Sequence, residues 1–341
     1  MLHFDTDYQR GACPQVMKAL CETNAEQSVG YGLDSYTQAA QAAILRACGL
    51  SDGRVYLLVG GTQTNAVVID GLLGKCQGVI AADTAHIAVH EAGAIEASGH
   101  KVITLPAAEG KITARQIEEY LRHFYADDTY PHMVAPGMVY LTFPSELGTL
   151  YSREELEAVS AVCRAAQIPL YIDGARLSYA LGSPYCTLTL PDIAALSDVF
   201  YIGGTKTGAL FGEAVVVKNP KLLPRFFSLI KQHGALMAKG RLLGVQFLTL
   251  FTDDLYLQLG RHAVTQALRL KDAFTAKGYE LYINSPTNQQ FFLLPNRAID
   301  KLREEVSFEL WGPRGSERTP VRFVTDWSTA PGEVDALMAL L

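Results

Sequence analysis

Apolar positions along this chain gather in two kinds of block: short continuous runs, and longer stretches in which they recur every third or fourth residue. The short runs lie at residues 54–59, 79–82, 101–105, 138–142, 169–172, 199–202 and 214–217. Helical patterns separate most of them, such as that over residues 153–166. Runs of this length that are apolar on both faces and alternate with helices predict a mostly parallel, buried sheet. Pro14 opens a helix over residues 14–20, and an Ala-rich helix over 36–48 is stopped by Gly49. Gly60-Gly61-Thr62-Gln63-Thr64-Asn65 turns the first strand into a helix predicted over 66–73.

Past Asn219-Pro220 the texture changes. Two long helical tracts are predicted, over 222–251 and 254–277, followed by strands near 290–294 and 321–325. The pattern predicts an N-terminal arm (1–15), a large α/β domain (16–225), and linking helices with a small C-terminal α+β domain (226–341). No internal repeat or low-complexity tract is present.

Composition narrows the function class. At 341 residues, 49% hydrophobic and 19% charged, the chain can bury a large core. A net charge of −6 without a Lys/Arg block argues against a nucleic-acid surface. Cys13, Cys21, Cys48, Cys76, Cys163 and Cys186 are scattered without a C-x-x-C, and no metal-ligand spacing emerges, so neither a disulfide framework nor a metal site is expected. The start, Met1-Leu2-His3-Phe4-Asp5-Thr6-Asp7, has neither a basic nor an apolar run, and no apolar stretch approaches the roughly 20 residues of a membrane span. The expectation is a soluble cytoplasmic protein.

Two segments carry the strongest chemical signal. Strand 169–172 ends in Asp173-Gly174-Ala175-Arg176, and strand 199–202 ends in Gly203-Gly204-Thr205-Lys206-Thr207-Gly208. Alone, Lys206 reads as a surface lysine and Asp173 as a helix cap. Together they lie where parallel sheets bind ligands, beyond the carboxyl ends of the strands. An amine and a carboxylate so placed suit pyridoxal 5'-phosphate (PLP): the amine holds the aldehyde, and the carboxylate keeps the pyridine nitrogen protonated. Gly60-Gly61-Thr62, between strand and helix, offers free amides for a phosphate, although such turns also use glycine for steric reasons alone. His86 and Glu91 fall just past another strand. His86 is open to two readings, a ring over an aromatic cofactor or a hydrogen-bonded helix start. His90 and Glu91, being adjacent, would not face the same way on a helix.

Asp5-Thr6-Asp7, Tyr31-Gly32-Leu33-Asp34, the Gly60 to Asn65 turn, His86-Ile87 with Glu91, Glu146-Leu147-Gly148-Thr149, Asp173-Gly174-Ala175-Arg176, Thr205-Lys206 and Val321-Arg322-Phe323-Val324-Thr325 occur in an order and spacing that resemble the threonine aldolase family. That family belongs to the fold-type I (aspartate aminotransferase-like) PLP enzymes, and the resemblance runs almost to the C-terminus. It implies that Lys206 carries PLP covalently as a Schiff base, that Asp173 pairs with the pyridine nitrogen and that His86 stacks on the ring. Gly60, Gly61 and Thr62 would hold the phosphate. Arg176 and Arg322 would grip the substrate carboxylate, with Thr6 standing where many relatives carry Ser. Glu146 has a family equivalent near the cofactor. The resemblance further implies a homodimer, paired into a tetramer, with Tyr31 and Lys231 supplied across the interface.

The chain departs from better-known members around the lysine, which lacks a preceding Ser, and at residues 231–239, which lack a glycine cluster and an Arg. Whether Lys231 or Lys239 reaches the neighbouring site is open. The activity implied is reversible cleavage of a β-hydroxy-α-amino acid (L-threonine, L-allo-threonine or a phenylserine-like relative) to glycine and an aldehyde, with His86, directly or through a water, as base. The alternatives are a β-eliminating lyase releasing ammonia and a keto acid, an aminotransferase, or a PLP-fold protein without turnover.

Overall fold

The computed structural model describes residues 1–341. In chain order the first part comprises β1 (Leu2–His3), α1 (Pro14–Thr23), α2 (Ser35–Ala47), β2 (Arg54–Leu58), α3 (Gly61–Leu72), β3 (Gln77–Ala82), α4 (His86–Val89), α5 (Ala94–Ala97) and β4 (Lys101–Leu105). There follow α6 (Ala114–Ala126), β5 (Ala135–Thr142), α7 (Arg153–Ala165), β6 (Leu170–Asp173), α8 (Leu177–Leu181), α9 (Leu190–Leu196), β7 (Val199–Gly203) and β8 (Glu213–Val217). The remainder is α10 (Phe226–Gln232), α11 (Arg241–Leu250), α12 (Leu255–Ala276), β9 (Glu280–Ile283), β10 (Gln289–Pro295), α13 (Asn296–Leu302), β11 (Val306–Ser307), β12 (Glu309–Leu310), β13 (Arg318–Val324) and α14 (Pro331–Leu340).

The central sheet has seven strands in the order β2-β8-β7-β6-β5-β3-β4. Only β8 runs antiparallel to its neighbours, β2 and β7. Strands β5 to β8 are almost wholly buried, which is why they read as apolar runs rather than as alternation. The right-handed crossovers expected of such units place helices on both faces and leave the strand ends free for a ligand.

The second sheet, β12-β13-β10-β9, is antiparallel. Its core is aromatic: Phe274 and Phe292 stack at 4.1 Å, and Phe308 and Phe323 at 4.5 Å. The N-terminal arm docks here. β1 pairs with β11, Phe4 is fully buried in this core, and the Val324 amide donates to the Phe4 carbonyl at 2.7 Å. Helix α12 spans both units, with Tyr256 in the large core and Leu270 and Phe274 in the small one.

Two predicted boundaries are corrected. The helix after β2 starts at Gly61 rather than 66, because Gly60 is an extended N-cap and the residues from Gly61 onward already turn helically. The continuous helix predicted over 222–251 is three pieces: a short 3-10 turn at Pro220–Leu222, α10 and α11. Gly234, at φ +68°, closes α10 in the left-handed conformation that glycine tolerates. At Gly240 the backbone passes so close to that of Gly32 that a side chain would collide with it. An apolar periodicity cannot register either event.

Candidate active site

The strand order places four chemical groups in sequence along one edge of the large sheet. Lys206 follows β7, Asp173 ends β6, Glu146 lies on the loop leaving β5, and His86 begins the helix after β3. These four strands are consecutive neighbours.

Asp173 is buried and fully occupied. Its Oδ2 accepts from the Asn65 amide at 2.9 Å and from the Tyr140 hydroxyl at 2.5 Å, and its Oδ1 accepts from the Ala175 amide at 2.9 Å. Asn65 also donates to Glu91 Oε1 at 2.8 Å and accepts from the Tyr171 hydroxyl at 2.9 Å. Glu91 Oε1 meets His86 Nδ1 at 2.7 Å. A continuous buried network, His86–Glu91–Asn65–Asp173–Tyr140, therefore fixes ring and carboxylate relative to each other, as satisfied polar networks do. Burial and then the Asp173 charge drive the Tyr140 hydroxyl far above its ordinary pKa, so it remains a donor. Burial disfavours a charged His86, but Glu91, Glu146 and Asp173 outweigh it and raise its pKa. Glu91 faces His86 because α4 ends at Val89 and the chain reverses through Ala92 (φ +51°) and Gly93, so the helical reading of residues 90 and 91 does not apply.

Lys206 is half-buried, its Nζ 6.0 Å from the centre of the Tyr8 ring. Burial, and then Arg176, push its amine below the ordinary lysine range against the pull of Asp7, Glu146 and Asp173. Tyr179 donates to the Lys206 carbonyl, which holds the turn in place. Beneath it Glu213, unassigned by sequence reasoning, accepts from the Gly204 amide at 3.2 Å, and burial pushes its carboxyl up to about 8.

Helix α3 begins without a side-chain cap, and the amides of Gly61, Thr62 and Gln63 find no acceptor within the chain. Thr64 Oγ1, Gln63 Oε1 and Thr84 Oγ1 are also buried without partners. Free amides at a helix N-terminus suit an anion, and unsatisfied buried groups of this kind are rare in the absence of a ligand. The residues present thus fit PLP: a phosphate at Gly60, Gly61 and Thr62, a pyridine nitrogen at Asp173, and an aldehyde at Lys206.

The expected carboxylate grips are both engaged. Arg176 Nε donates to Asp7 Oδ2 at 2.6 Å and Nη2 to Oδ1 at 3.1 Å, while Asn288 donates to Asp7 Oδ2 at 3.0 Å. Burial pushes the Asp7 carboxyl up, but Arg176 and Lys206 prevail and hold it at about 2. Arg322 donates to Gln289 Oε1 at 2.7 Å and to Glu309, and lies 4.8 Å from the Trp311 ring centre. Its Nε is buried without a partner, and burial together with the nearby Arg176 charge lowers its pKa. Two adjacent guanidiniums with spare donors suit an α-carboxylate. Thr6 Oγ1 is also buried and unpartnered.

Tyr31 and Lys231 are not brought to Lys206. Lys231 Nζ lies 4.7 Å from the Tyr31 ring centre, and Tyr31 lines a separate cavity of about 520 Å³ with Leu33, Phe227 and Leu243. Lys239 sits just ahead of α11. No group of three or more His, Cys, Asp or Glu could hold a metal ion, all six cysteines are unpaired, and no helix is long and apolar enough to cross a membrane.

The sequence profile described as beta-eliminating lyase matches residues 3–294. The chain belongs to the beta-eliminating lyase family. Within it, the chain is 32% identical over 342 residues to the low specificity L-threonine aldolase of Pseudomonas sp. (strain NCIMB 10558), covering 98% of this chain and 96% of that one. Among solved structures it is similar to the Leishmania major threonine aldolase, at TM-score 0.97 and 40% identity, covering 100% of this chain and 98% of the other. A Thermus thermophilus aspartate aminotransferase double mutant superimposes at TM-score 0.72 and 14% identity over 100% of this chain and 90% of its own. The fold is that of the fold-type I PLP enzymes.

Proposed function

We propose that the chain is a PLP-dependent carbon–carbon lyase of the threonine aldolase type (EC 4.1.2). It cleaves a β-hydroxy-α-amino acid (L-threonine, L-allo-threonine or a phenylserine-like relative) reversibly to glycine and an aldehyde. The observation that carries this reading is one strand-end edge bearing Lys206, Asp173 and His86, with Arg176 and Arg322 beside it. When bound, PLP supplies an electron sink for the bond broken at Cα.

Each residue then has a task. Lys206 holds the cofactor aldehyde covalently, and its lowered pKa favours the neutral amine that can do so. Asp173 keeps the pyridine nitrogen protonated, and His86, steered by Glu91, covers the ring. Gly60, Gly61 and Thr62 bind the phosphate. Arg176, Arg322 and Thr6 seat the amino-acid carboxylate, and this anchoring selects which Cα bond is aligned for cleavage. A protein base removes the β-hydroxyl proton.

The active unit is a homodimer or tetramer in which Tyr31 and Lys231 reach a neighbouring subunit's site. Supporting this, Tyr31, Leu33 and Phe227 form an exposed apolar patch on the face that holds Lys231. Six unpaired cysteines suit a reducing, cytoplasmic setting. The decisive experiment incubates the PLP-loaded protein with the three amino acids and assays products. Glycine with aldehyde supports the aldolase reading; ammonia with a keto acid moves the protein to the eliminating lyases.

A further inference from the structure

We propose that Glu146 is the catalytic base that takes the β-hydroxyl proton, an assignment that rests on the aldolase reading above. Its position is set by the sheet. β5 lies between β6 and β3, Thr142 at its end is in register with Asp173, and the Phe143 amide donates to the Asp173 carbonyl at 2.8 Å. The loop leaving β5 therefore emerges between Arg176 on one side and His86 on the other.

That loop is held firmly. The Ser145 amide donates to the Thr149 carbonyl at 2.9 Å and the Gly148 amide to the Ser145 carbonyl at 2.8 Å. The Gly148 carbonyl accepts from the Ser285 and Thr287 hydroxyls at 3.2 and 3.0 Å, and Thr149 Oγ1 donates to the Glu109 carbonyl at 2.7 Å. Gly148 has φ +71°, and a side chain there would collide with Ser285.

On this rigid support Glu146 is buried, yet its carboxylate receives no hydrogen bond or ion pair from the chain; only its backbone carbonyl has a partner, Gln289. The neighbouring acids already hold partners: Asp7 has Arg176 and Asn288, Asp173 has Asn65, Tyr140 and Ala175, and Glu91 has Asn65 and His86, both on Oε1. Its oxygens are not sealed off from the site, so the Glu146 carboxylate is free to accept from a ligand, and the substrate's distinguishing donor is its β-hydroxyl. The Glu146 charge acts on His86, Tyr140, Arg176 and Lys206. Among these His86 is the competing base; its Nδ1 is already bound to Glu91 Oε1 at 2.7 Å, which leaves only Nε2 to accept.

In the cleavage the hydroxyl proton passes to Glu146 and the O–H pair becomes the second C–O bond of the aldehyde. The Cα–Cβ pair would remain on Cα, where bound PLP would supply the electron sink, and uptake of a proton there would complete glycine.

The test compares wild type with the Glu146→Gln and Glu146→Asp holoenzymes. It measures aldehyde release from L-threonine, cofactor affinity by absorbance titration, and exchange of the glycine α-proton in D2O by NMR. Exchange uses the same cofactor and carboxylate grips but involves no hydroxyl. The expected result for Glu146→Gln is a kcat for cleavage lower by about 10²- to 10⁴-fold, with exchange and cofactor affinity changed by less than about threefold. Glu146→Asp should recover part of the lost rate. Cleavage by Glu146→Gln within about threefold of wild type, or an equal fall in exchange, overturns the proposal. Wild type yielding ammonia and keto acid instead overturns the aldolase reading itself, an outcome seen before any variant is made.

Discussion

The cofactor side of the site and the carboxylate side are built differently. Asp173, Asn65, Glu91, His86 and Tyr140 all belong to the central sheet and its own connections, and they are bonded to one another. Arg176 is held instead by Asp7 of the N-terminal arm, itself fixed by Asn288, and Arg322 by Gln289 and Glu309 of the small sheet. The first arrangement exists once the parallel strands are in register. The second exists only once the arm and the small sheet have docked, so on the proposed function cofactor capture and substrate anchoring rest on different parts of the fold.

The contrast can be broken or sharpened by substitution. The largest effect is expected from Lys206→Ala: turnover is abolished in a product assay and the absorbance of covalently held cofactor disappears. Noncovalent cofactor binding survives, because the α3 amides and Asp173 are untouched. Next, Asp7→Asn leaves the Arg176 charge buried without its partner and should cost about 3–5 kcal/mol in urea unfolding, together with a raised KM. Unchanged cofactor affinity in this variant upholds the contrast; a matching loss of cofactor affinity breaks it.

The same pair has a pH signature. The Asp7 carboxyl is lowered from 3.8 to about 2, so its stabilisation is complete above the unfolded value and drains away as pH falls toward about 2. The stability gap between wild type and Asp7→Asn should therefore close with acidification over that window, as followed by urea unfolding. Phe292→Ala, in the stacked core of the small sheet, should cost about 3–5 kcal/mol and raise KM more than it weakens cofactor binding. The smallest effect is expected at the exposed Arg314–Asp300 pair, where Arg314→Ala should change stability by about 1 kcal/mol or less.

How much was legible in the sequence followed the same division. Asp173 and Lys206 stand at the ends of short apolar runs and Gly60-Gly61-Thr62 sits at a strand-to-helix turn, so local pattern pointed to each. Asp7 and Arg176 are 169 positions apart, and no periodicity links them. Glu91 was visible, but its return to His86 depends on a reversal through Ala92 and Gly93 that a helical reading misses. Asn65 entered only as the last residue of the Gly60 turn, and Glu213, just ahead of the run at 214–217, carried no local signal; burial and their partners make them parts of the site.

By itself the sequence determined the succession of strands and helices, the apolar faces that drive their burial, and the residue types at the strand ends. Those depend on interactions between near neighbours and on the transfer of apolar side chains from water, both written in local order. The tertiary structure alone decided which strand ends lie side by side, and so which carboxylate faces His86 and which holds Arg176. It also decided which buried donors and acceptors are satisfied and which wait for a ligand. Pairing and desolvation act between residues far apart in the chain, and it is they that set charge and proton affinity at the site.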